Sequence, residues 1–153
     1  MAKKKSPLAW LGGKSKLAAQ IIERMPTHTA YVEVFAGAAW VLFNKEPSKV
    51  EIINDINRDL VTFYRVVKHH RSAFLEQLSQ QLIARDEFKR MLVTPPEVLT
   101  DVQRAARFYY VSKLSFGAKL TSPSFGVAAT GGPRLNLTTL DADIAAAEAR
   151  LKR

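Results

Sequence analysis

The sequence has 153 residues, no cysteine and a formal net charge of +9. This length is sufficient for one domain with its own core, and the lack of cysteine excludes disulfide bonds, cysteine-ligated metal sites and a cysteine nucleophile. No apolar run approaches the length of a transmembrane helix and no signal-peptide pattern follows the basic start, so we expect a cytoplasmic protein with no membrane partner.

The first feature in chain order is a Gly-Lys-Ser sequence at residues 13–15, which invites comparison with a phosphate-binding loop. That loop requires a glycine five positions before Gly13, where this chain has Leu8, and it also requires a preceding strand. A triphosphate-binding loop is therefore excluded. Trp10, Lys14 and the glycines between them can instead offer a ligand a ring face, a cation and close backbone approach. The alternative is that Trp10 is a core residue and Lys14 a solvated one.

Residues 31–43 have the pattern of a buried parallel strand, a small-residue turn and a helix. The apolar run ends at Phe35, the turn is Ala-Gly-Ala at residues 36–38, and helix-compatible residues follow. Such a unit brings backbone close to a ligand and directs helix N–H groups towards it. A second apolar run at residues 50–53 is followed by Asp55, in the position where nucleotide-binding folds hold a ribose diol. The turn and the carboxylate together favour a nucleotide-type site.

Apolar periodicity predicts five helices. The first runs to about Met25, the second from its N-cap Asn57 to about His70, the third spans residues 72–92, the fourth starts near Thr100, and the last ends the chain. The two histidines that end the second helix are adjacent and project to different faces, so we expect no metal site there. The residues expected on buried helix faces are Leu17, Ile21, Ile22, Leu60, Phe63, Tyr64, Val67, Phe74, Leu75, Leu78, Leu82, Phe88, Leu92, Ala105, Phe108, Tyr109, Leu114, Leu140, Ile144, Ala147 and Leu151.

Residues 114–135 differ in character from the helices, being rich in Gly, Ser and Pro with phenylalanines spaced between them. A long irregular loop of this kind is usually functional or disordered. The charge of +9 and an isoelectric point near 10.0 favour a polyanionic partner such as nucleic acid, although many soluble proteins are also basic. The basic residues that would give the loop a phosphate-contacting surface are Arg104, Arg107, Lys113, Lys119 and Arg134. The alternative is a solvated surface loop.

Three motifs occur in the order found in Dam-type DNA adenine methyltransferases, the alpha group of these enzymes. They are residues 7–14 (Pro-Leu-Ala-Trp-Leu-Gly-Gly-Lys), 33–38 (Glu-Val-Phe-Ala-Gly-Ala) and 53–60 (Ile-Asn-Asp-Ile-Asn-Arg-Asp-Leu). Residues 109–126 also resemble the DNA-recognition region of that family. The resemblance covers essentially the whole chain, and although each motif alone is modest, three in this order and spacing are specific.

The resemblance implies an α/β fold, with a partial Rossmann-like sheet that binds S-adenosylmethionine and a mainly helical DNA-recognition region. It implies methyl transfer to the exocyclic amine of adenine in double-stranded DNA, as in restriction–modification systems, with the adenine flipped out of the duplex. Lys14 would lie near the methionine carboxylate, and Asp55 would accept hydrogen bonds from the ribose hydroxyls. The cofactor-binding residues implied in this way are Trp10, Lys14, Glu33, Phe35, Ala36, Gly37, Ala38, Asp55 and Ile56. The implied DNA-binding residues are Lys113, Phe116, Lys119, Phe125 and Arg134.

The resemblance also implies a division of the chain into three parts. Residues 1–68 would form the cofactor-binding part of the methyltransferase domain, and residues 69–137 the helical DNA-recognition region. Residues 138–153 would form a helix that leads back towards the catalytic strands. These boundaries place both halves of the predicted cofactor site in the first part.

Two features depart from the family's pattern. Ala39, followed by the bulky Trp40, stands where the cofactor loop usually carries a second glycine. The family's Asp-Pro-Pro-Tyr motif, which holds the flipped adenine, does not occur in these 153 residues; the Pro-Pro pair at residues 95–96 lies before the recognition region and lacks the flanking Asp and Tyr. We therefore expect no catalytic residue and no metal ligand in this chain, and a truncated enzyme that is not competent alone. The alternatives are a non-catalytic DNA-binding relative, and an enzyme whose sheet is completed by self-association or by a second chain.

Overall fold

The computed structural model describes residues 6–119, 121–126 and 135–153. Within them, two strands are interspersed with helices in the first part of the chain, and helices alone follow. The strands are β1 (Ala30–Glu33) and β2 (Val50–Ile53). The helices are α1 (Ala18–Glu23), α2 (Trp40–Asn44), α3 (Arg58–His69), α4 (Arg71–Ser79), α5 (Arg85–Val93), α6 (Asp101–Leu114) and α7 (Leu137–Leu151). The described chain is therefore a mixed fold of helices and a small parallel sheet.

The sheet has one covered face and one open face. β1 and β2 pair in parallel, with Ala30 opposite Val50 and Glu33 opposite Ile53. Side chains alternate between the two faces, and Glu33 is directed to the covered one. The outward face, which the described helices leave uncovered, carries four β-branched apolar side chains, each about half exposed: Val32 (49%), Val34 (50%), Val50 (48%) and Ile52 (49%). The prediction of a buried strand ending at Phe35 is therefore wrong on this face, and Phe35 itself is 78% exposed.

The hydrophobic core lies between the covered face of the sheet and helices α3 to α7, with α3 and α4 each packed on α6 and α7, and α5 packed on α6. Aromatic rings fill its centre: the Phe63 ring stacks on Tyr109 with 5.6 Å between centroids and meets Phe74 edge-on at the same distance. The inward-facing residues predicted for α3 and α6 are buried, which confirms the helical periodicity there. None of the described helices is long and apolar enough to cross a membrane.

Side-chain caps fix where α3 and α6 begin. Asn57 Oδ1 accepts a hydrogen bond from the Leu60 N–H (3.1 Å), which confirms the predicted N-cap. At the start of α6, Thr100 Oγ1 accepts from the Gln103 N–H (3.3 Å), and Gln103 Oε1 accepts from the Thr100 N–H (3.0 Å). This reciprocal pair is a capping box, and it confirms the predicted start of the fourth helix.

The single helix predicted over residues 72–92 is wrong, because the chain forms α4 and α5 with a break between them. The Tyr110 hydroxyl, from α6, donates to the Leu82 carbonyl (2.8 Å), and the Ala84 N–H donates to the same hydroxyl (3.4 Å). These bonds satisfy backbone groups that a continuous helix would have paired internally. Leu82, predicted to be buried, is consequently 72% exposed.

Two further predictions differ from the structure. Leu17 was expected on the buried face of the first helix, but it precedes the short α1 and is 54% exposed. Arg104 and Arg107 were expected on a phosphate-contacting surface, but both pair with Asp59 at the start of α3. Arg104 Nε donates to Asp59 Oδ1 (2.6 Å), and an Arg107 guanidinium nitrogen lies 3.6 Å from Oδ2. These two arginines connect α6 to α3, and the Asp59 carboxylate offsets one of their two positive charges.

Candidate functional site

The turn after β1 forms the centre of the candidate site. Residues 36–39 are buried, and two of them have left-handed backbone: Gly37 (φ +50°) and Ala39 (φ +48°). The left-handed region suits glycine and strains alanine. Ala39 is therefore strained, at the position where the family resemblance predicts a second glycine. The turn is held by hydrogen bonds from the Ala36 N–H to the Asn54 carbonyl (3.0 Å) and from the Ala39 N–H to the Ala36 carbonyl (2.8 Å).

Asp55 joins the end of β2 to this turn. Its Oδ2 accepts a hydrogen bond from the Gly37 N–H (2.9 Å), and its Oδ1 accepts one from the Asn57 N–H (3.0 Å). Each carboxylate oxygen can accept more than one hydrogen bond, so both oxygens retain capacity for a ligand's hydroxyl groups. The turn and the acidic strand end, which the sequence pattern combined into one nucleotide-type site, are thus in direct contact.

Trp10 covers the other side of Gly37. A Cβ built on Gly37 would lie 2.8 Å from Trp10 Nε1, closer than real Cβ atoms approach, so only glycine fits beneath the indole. A Cβ built on Gly13 would lie 3.0 Å from the Trp10 carbonyl oxygen and 3.2 Å from Trp40 Nε1. The indole also packs against the Phe108 ring, with 6.3 Å between centroids. The N-terminal segment is thus in direct contact with the turn that follows β1.

Lys14 and Glu33 form a half-buried ion pair beneath the same turn. Lys14 Nζ donates to the Phe35 carbonyl (2.7 Å) and to Glu33 Oε1 (3.3 Å). Glu33 is 5% exposed, and its Oε2 accepts from the Tyr31 hydroxyl (3.1 Å) and from the Leu42 N–H (3.2 Å). The Glu33 carboxylate therefore binds other parts of the protein, whereas the ammonium of Lys14, with three N–H donors, retains one for a ligand.

A cavity of about 370 Å³ lies where these groups meet, a volume within the range of roughly 300–1,000 Å³ that small-molecule sites occupy. Six of the nine predicted cofactor-binding residues line it: Trp10, Lys14, Phe35, Ala36, Gly37 and Asp55. Three do not: Glu33 and Ala38 are buried behind the turn, and the side chain of Ile56 is 93% exposed. Gly12 and Gly13 also line the cavity and were not among the predicted residues. The sequence pattern between Trp10 and Lys14 indicated close backbone approach at these two glycines, but the family resemblance did not assign them to the cofactor.

Tyr64 contacts the turn from α3 and was predicted only as a core residue. Its hydroxyl donates to the Gly37 carbonyl (2.9 Å). Burial raises the pKa of this hydroxyl well above its usual value, and the carboxylates of Glu33 and Asp55 raise it further, so the proton that it donates is retained. A tyrosine among inward-facing apolar residues was the available signal, since a buried hydroxyl requires a partner.

The predicted DNA-binding residues lie in different environments. Phe116 (62% exposed) and Lys119 are at the surface. Phe125 is half-buried against the Phe88 ring, with 5.4 Å between centroids. Lys113 is half-buried, with Nζ 5.2 Å from the centroid of the Tyr109 ring, and burial lowers the pKa of its ammonium. Arg134, the fifth predicted residue, lies outside the described part of the chain.

Ala118, Lys119 and Thr121 meet the N-terminal segment at a second cavity, of about 470 Å³. It is lined by Trp10, Leu11, Ala118, Lys119 and Thr121. Trp10 is common to this cavity and to the one beside Asp55. The two cavities are therefore neighbours that share one indole side chain.

In comparisons with known proteins, most of the chain matches a single protein family. The model of the D12 class N6 adenine-specific DNA methyltransferase family matches residues 10–139. The type II methyltransferase M.MjaIII of Methanocaldococcus jannaschii is 36% identical over 112 residues, which cover 67% of this chain and 35% of that protein. The DNA adenine methylases of Escherichia coli K12 and Vibrio cholerae serotype O1 are 28% and 26% identical over 120 residues, covering 76% of this chain and 43% of each of those proteins. The chain thus spans between 35% and 43% of the length of these relatives.

Proposed function

Since this chain belongs to the D12 class N6 adenine-specific DNA methyltransferase family, we propose that it binds S-adenosylmethionine and double-stranded DNA for the methylation of adenine at N6. The observation that carries the proposal is the Asp55 carboxylate bonded to the Gly37 N–H at the edge of a cavity that Trp10 and Lys14 also line. In that family, S-adenosylmethionine supplies an electrophilic methyl group on a sulfonium.

The residues around the cavity suit the polar ends of this cofactor. Asp55 would accept hydrogen bonds from both ribose hydroxyls, as charge-assisted bonds that are stronger than neutral ones. Lys14 would donate its remaining N–H to the methionine carboxylate while its bonds to Glu33 and the Phe35 carbonyl hold it in place. Gly37, which has no Cβ, would let the Trp10 indole pack directly on the turn and form a wall of the cofactor cavity.

The fold has a corresponding role in this proposal. The parallel pair of β1 and β2, with Asp55 after β2, would be part of a Rossmann-like sheet in which the ligand lies at the carboxyl ends of the strands. Residues 1–68 would bind the cofactor, residues 69–137 would recognise DNA, and residues 138–153 would lead back to the sheet. The contact of Trp10 with both cavities supports a close approach of the two functions.

The DNA part of the proposal rests on the net positive charge of the chain and on the position of residues 116–119. The formal charge is +9, the exposed Lys119 lines the second cavity, and the exposed Phe116 lies three residues before it in the chain. An adenine stacked in a duplex cannot reach the cofactor, so the base would have to leave the stack and enter beside Trp10. Trp10 and Lys119 would then contact the base and the phosphate backbone, respectively.

Asp55→Ala tests the cofactor assignment. Loss of a charge-assisted hydrogen-bonding group is expected to weaken S-adenosylmethionine binding by roughly 1.5–3 kcal/mol, about ten- to a hundredfold in Kd. Isothermal titration calorimetry measures this directly. Asp101→Ala is the matched control, because Asp101 is an exposed carboxylate paired with Arg65 and lies outside the cavity. Equal affinities for parent and Asp55→Ala would contradict the assignment of Asp55 to the ribose.

Lys119→Ala tests the DNA assignment. If the ammonium contacts a phosphate, its removal is expected to weaken binding similarly for all duplex sequences and to reduce the slope of log K against log salt by about 1. Fluorescence anisotropy of a labelled duplex over a salt series gives both quantities. Lys152→Ala provides a control with the same charge change at a lysine that pairs with Glu148 on α7. An unchanged salt slope for Lys119→Ala would exclude a phosphate contact at this residue.

A further inference from the structure

Gly37 is held at both of its backbone polar groups by side chains from different elements. Its N–H donates to Asp55 Oδ2 (2.9 Å), after β2, and its carbonyl accepts from the Tyr64 hydroxyl (2.9 Å), on α3. The two groups belong to the peptide planes on either side of the Gly37 Cα. Fixing both planes fixes φ and ψ of this residue, and with them the left-handed turn.

Packing does not explain why residue 64 carries a hydroxyl, because a phenylalanine ring would pack in the same way. Tyr64 is 5% exposed, and its ring lies against Phe43 and Phe63, with centroids 6.2 Å and 5.3 Å away. Both neighbours are phenylalanine rings, so the aromatic ring of Tyr64 fills this part of the core without its hydroxyl. The oxygen at its end donates to the Gly37 carbonyl and is also hydrogen-bonded with the Ser6 side chain, and since burial raises the pKa of Tyr64, this oxygen keeps its proton as a donor.

The turn requires such a restraint because its backbone is strained. Ala39 has φ +48°, a region that costs an L-residue free energy, and such strain persists only when the surroundings hold the backbone in place. Gly37, two residues earlier, is more permissive and could adopt other backbone angles if it were released. The groups that hold it therefore also hold the Asp55 carboxylate at the cavity.

We propose that Tyr64 is a positioning residue of the cofactor site, whose hydroxyl orients the Gly37 backbone and thereby the Asp55 carboxylate for the ribose. This inference rests on the proposed function for the identity of the ligand. It assigns no ligand contact to Tyr64, which does not line the cavity beside Asp55. The hydroxyl acts through Gly37.

Tyr64→Phe is the direct test, because it removes one oxygen and keeps the ring. We expect the Kd for S-adenosylmethionine to rise about tenfold, the effect of one net hydrogen bond. Tyr109→Phe is the matched control: Tyr109 is also a core tyrosine whose pKa is raised by burial, and its ring stacks on the same Phe63. Its hydroxyl is not bonded to the turn, so the Kd is expected to stay at the parent value.

A second measurement needs no cofactor. Amide hydrogen exchange followed by nuclear magnetic resonance should show faster exchange at Gly37, Ala38 and Ala39 in Tyr64→Phe than in Tyr109→Phe, with the amides of α6 as an internal reference. A purely structural loss would accelerate exchange throughout the core in both variants. Localised acceleration supports a positioning role even if the fold is somewhat less stable.

The outcomes separate the two proposals. If the parent binds S-adenosylmethionine and Tyr64→Phe binds equally well, the positioning role is wrong and the cofactor assignment stands. If both tyrosine variants lose affinity to the same extent, the effect is general to the core and the positioning role is also wrong. If the parent does not bind, the proposed cofactor fails. In that case the exchange data alone decide whether Tyr64 holds the turn. Equal amide exchange rates at Gly37 in Tyr64→Phe and Tyr109→Phe would overturn the positioning role.

Discussion

Replacing Glu51 with Gln is expected to lower the free energy of unfolding at pH 7 by about 3–5 kcal/mol. Glu51 Oε1 accepts from Lys45 Nζ (2.6 Å) and from an Arg150 guanidinium N–H (2.8 Å), while Oε2 accepts from the other terminal nitrogen of Arg150 (2.5 Å). Lys45 is 2% exposed and Arg150 is 6% exposed. The variant would leave two buried cations without their carboxylate, which costs far more than an exposed ion pair contributes.

The same carboxylate sets a pH dependence whose sign follows from its pKa. Burial alone would raise the pKa of Glu51, but hydrogen bonds from Arg150 and Lys45 outweigh burial and lower that pKa to about 2, from an ordinary 4.5. Because the folded-state pKa lies below the unfolded one, the stabilisation is complete above about pH 5 and is lost as the pH falls towards 2. Urea denaturation over this range should show a steeper loss for the parent than for Glu51→Gln.

Glu148→Gln is the control for this experiment, because Glu148 pairs with Lys152 and Arg71 on the surface of α7. Its removal should change stability much less than removal of Glu51. Parallel pH profiles for the parent and Glu51→Gln would show that the buried cluster does not carry the acid sensitivity. The cluster joins β2 to the last turn of α7, so its loss should also be visible as increased amide exchange in α7.

Gly37→Ala is the second change with a large expected effect. It places a Cβ at φ +50° and 2.8 Å from Trp10 Nε1. Left-handed strain of about 1–2 kcal/mol and overpacking of about 1–3 kcal/mol together predict a loss of roughly 2–5 kcal/mol in the free energy of unfolding. Displacement of Trp10 or of the turn should also abolish measurable S-adenosylmethionine binding, since Trp10, Gly37 and Asp55 line one cavity.

Gly117→Ala is a control that separates the cost of backbone strain from the cost of the steric clash with Trp10. Gly117 also has a positive φ (+65°), but the nearest atom to a Cβ built there is Lys119 Cγ at 4.0 Å. We therefore expect this control to lose only about 1–2 kcal/mol, from strain, and to keep its affinity for the cofactor. Chemical denaturation and calorimetry on both variants check this. Similar stability losses at the two glycines would contradict the close packing of Trp10 on Gly37.

Local sequence patterns predicted the parts of the fold that local interactions determine. Asn57 caps α3 as expected, and α6 starts next to Thr100 as expected, because a helix start is determined by residues at most three positions apart. The pairing of the turn after β1 with Asp55 in one candidate site came from the strand–turn–helix pattern and the carboxylate after the next apolar run, and in the structure the two are hydrogen-bonded.

Long-range interactions account for what the sequence did not reveal. The break between α4 and α5 is stabilised by Tyr110, 28 residues after Leu82, and no local signal marks it. Tyr64 had the right periodicity for a core residue, but its hydroxyl partner, Gly37, lies 27 residues away. The positive charge of Arg104 indicated a surface role, whereas Asp59, 45 residues earlier, neutralises it. Charge and periodicity describe one residue at a time, and these contacts depend on pairs.

The outward face of the two-stranded sheet, with Val32, Val34, Val50 and Ile52 about half exposed, also bears on how copies of this chain interact in solution. The formal charge of +9 repels neighbouring copies, while these apolar side chains attract them. Salt screens the repulsion over about 10 Å at 0.1 M and leaves the hydrophobic attraction in place. We therefore expect added salt to favour association of copies through this face, and low-salt buffers to keep the chain dispersed.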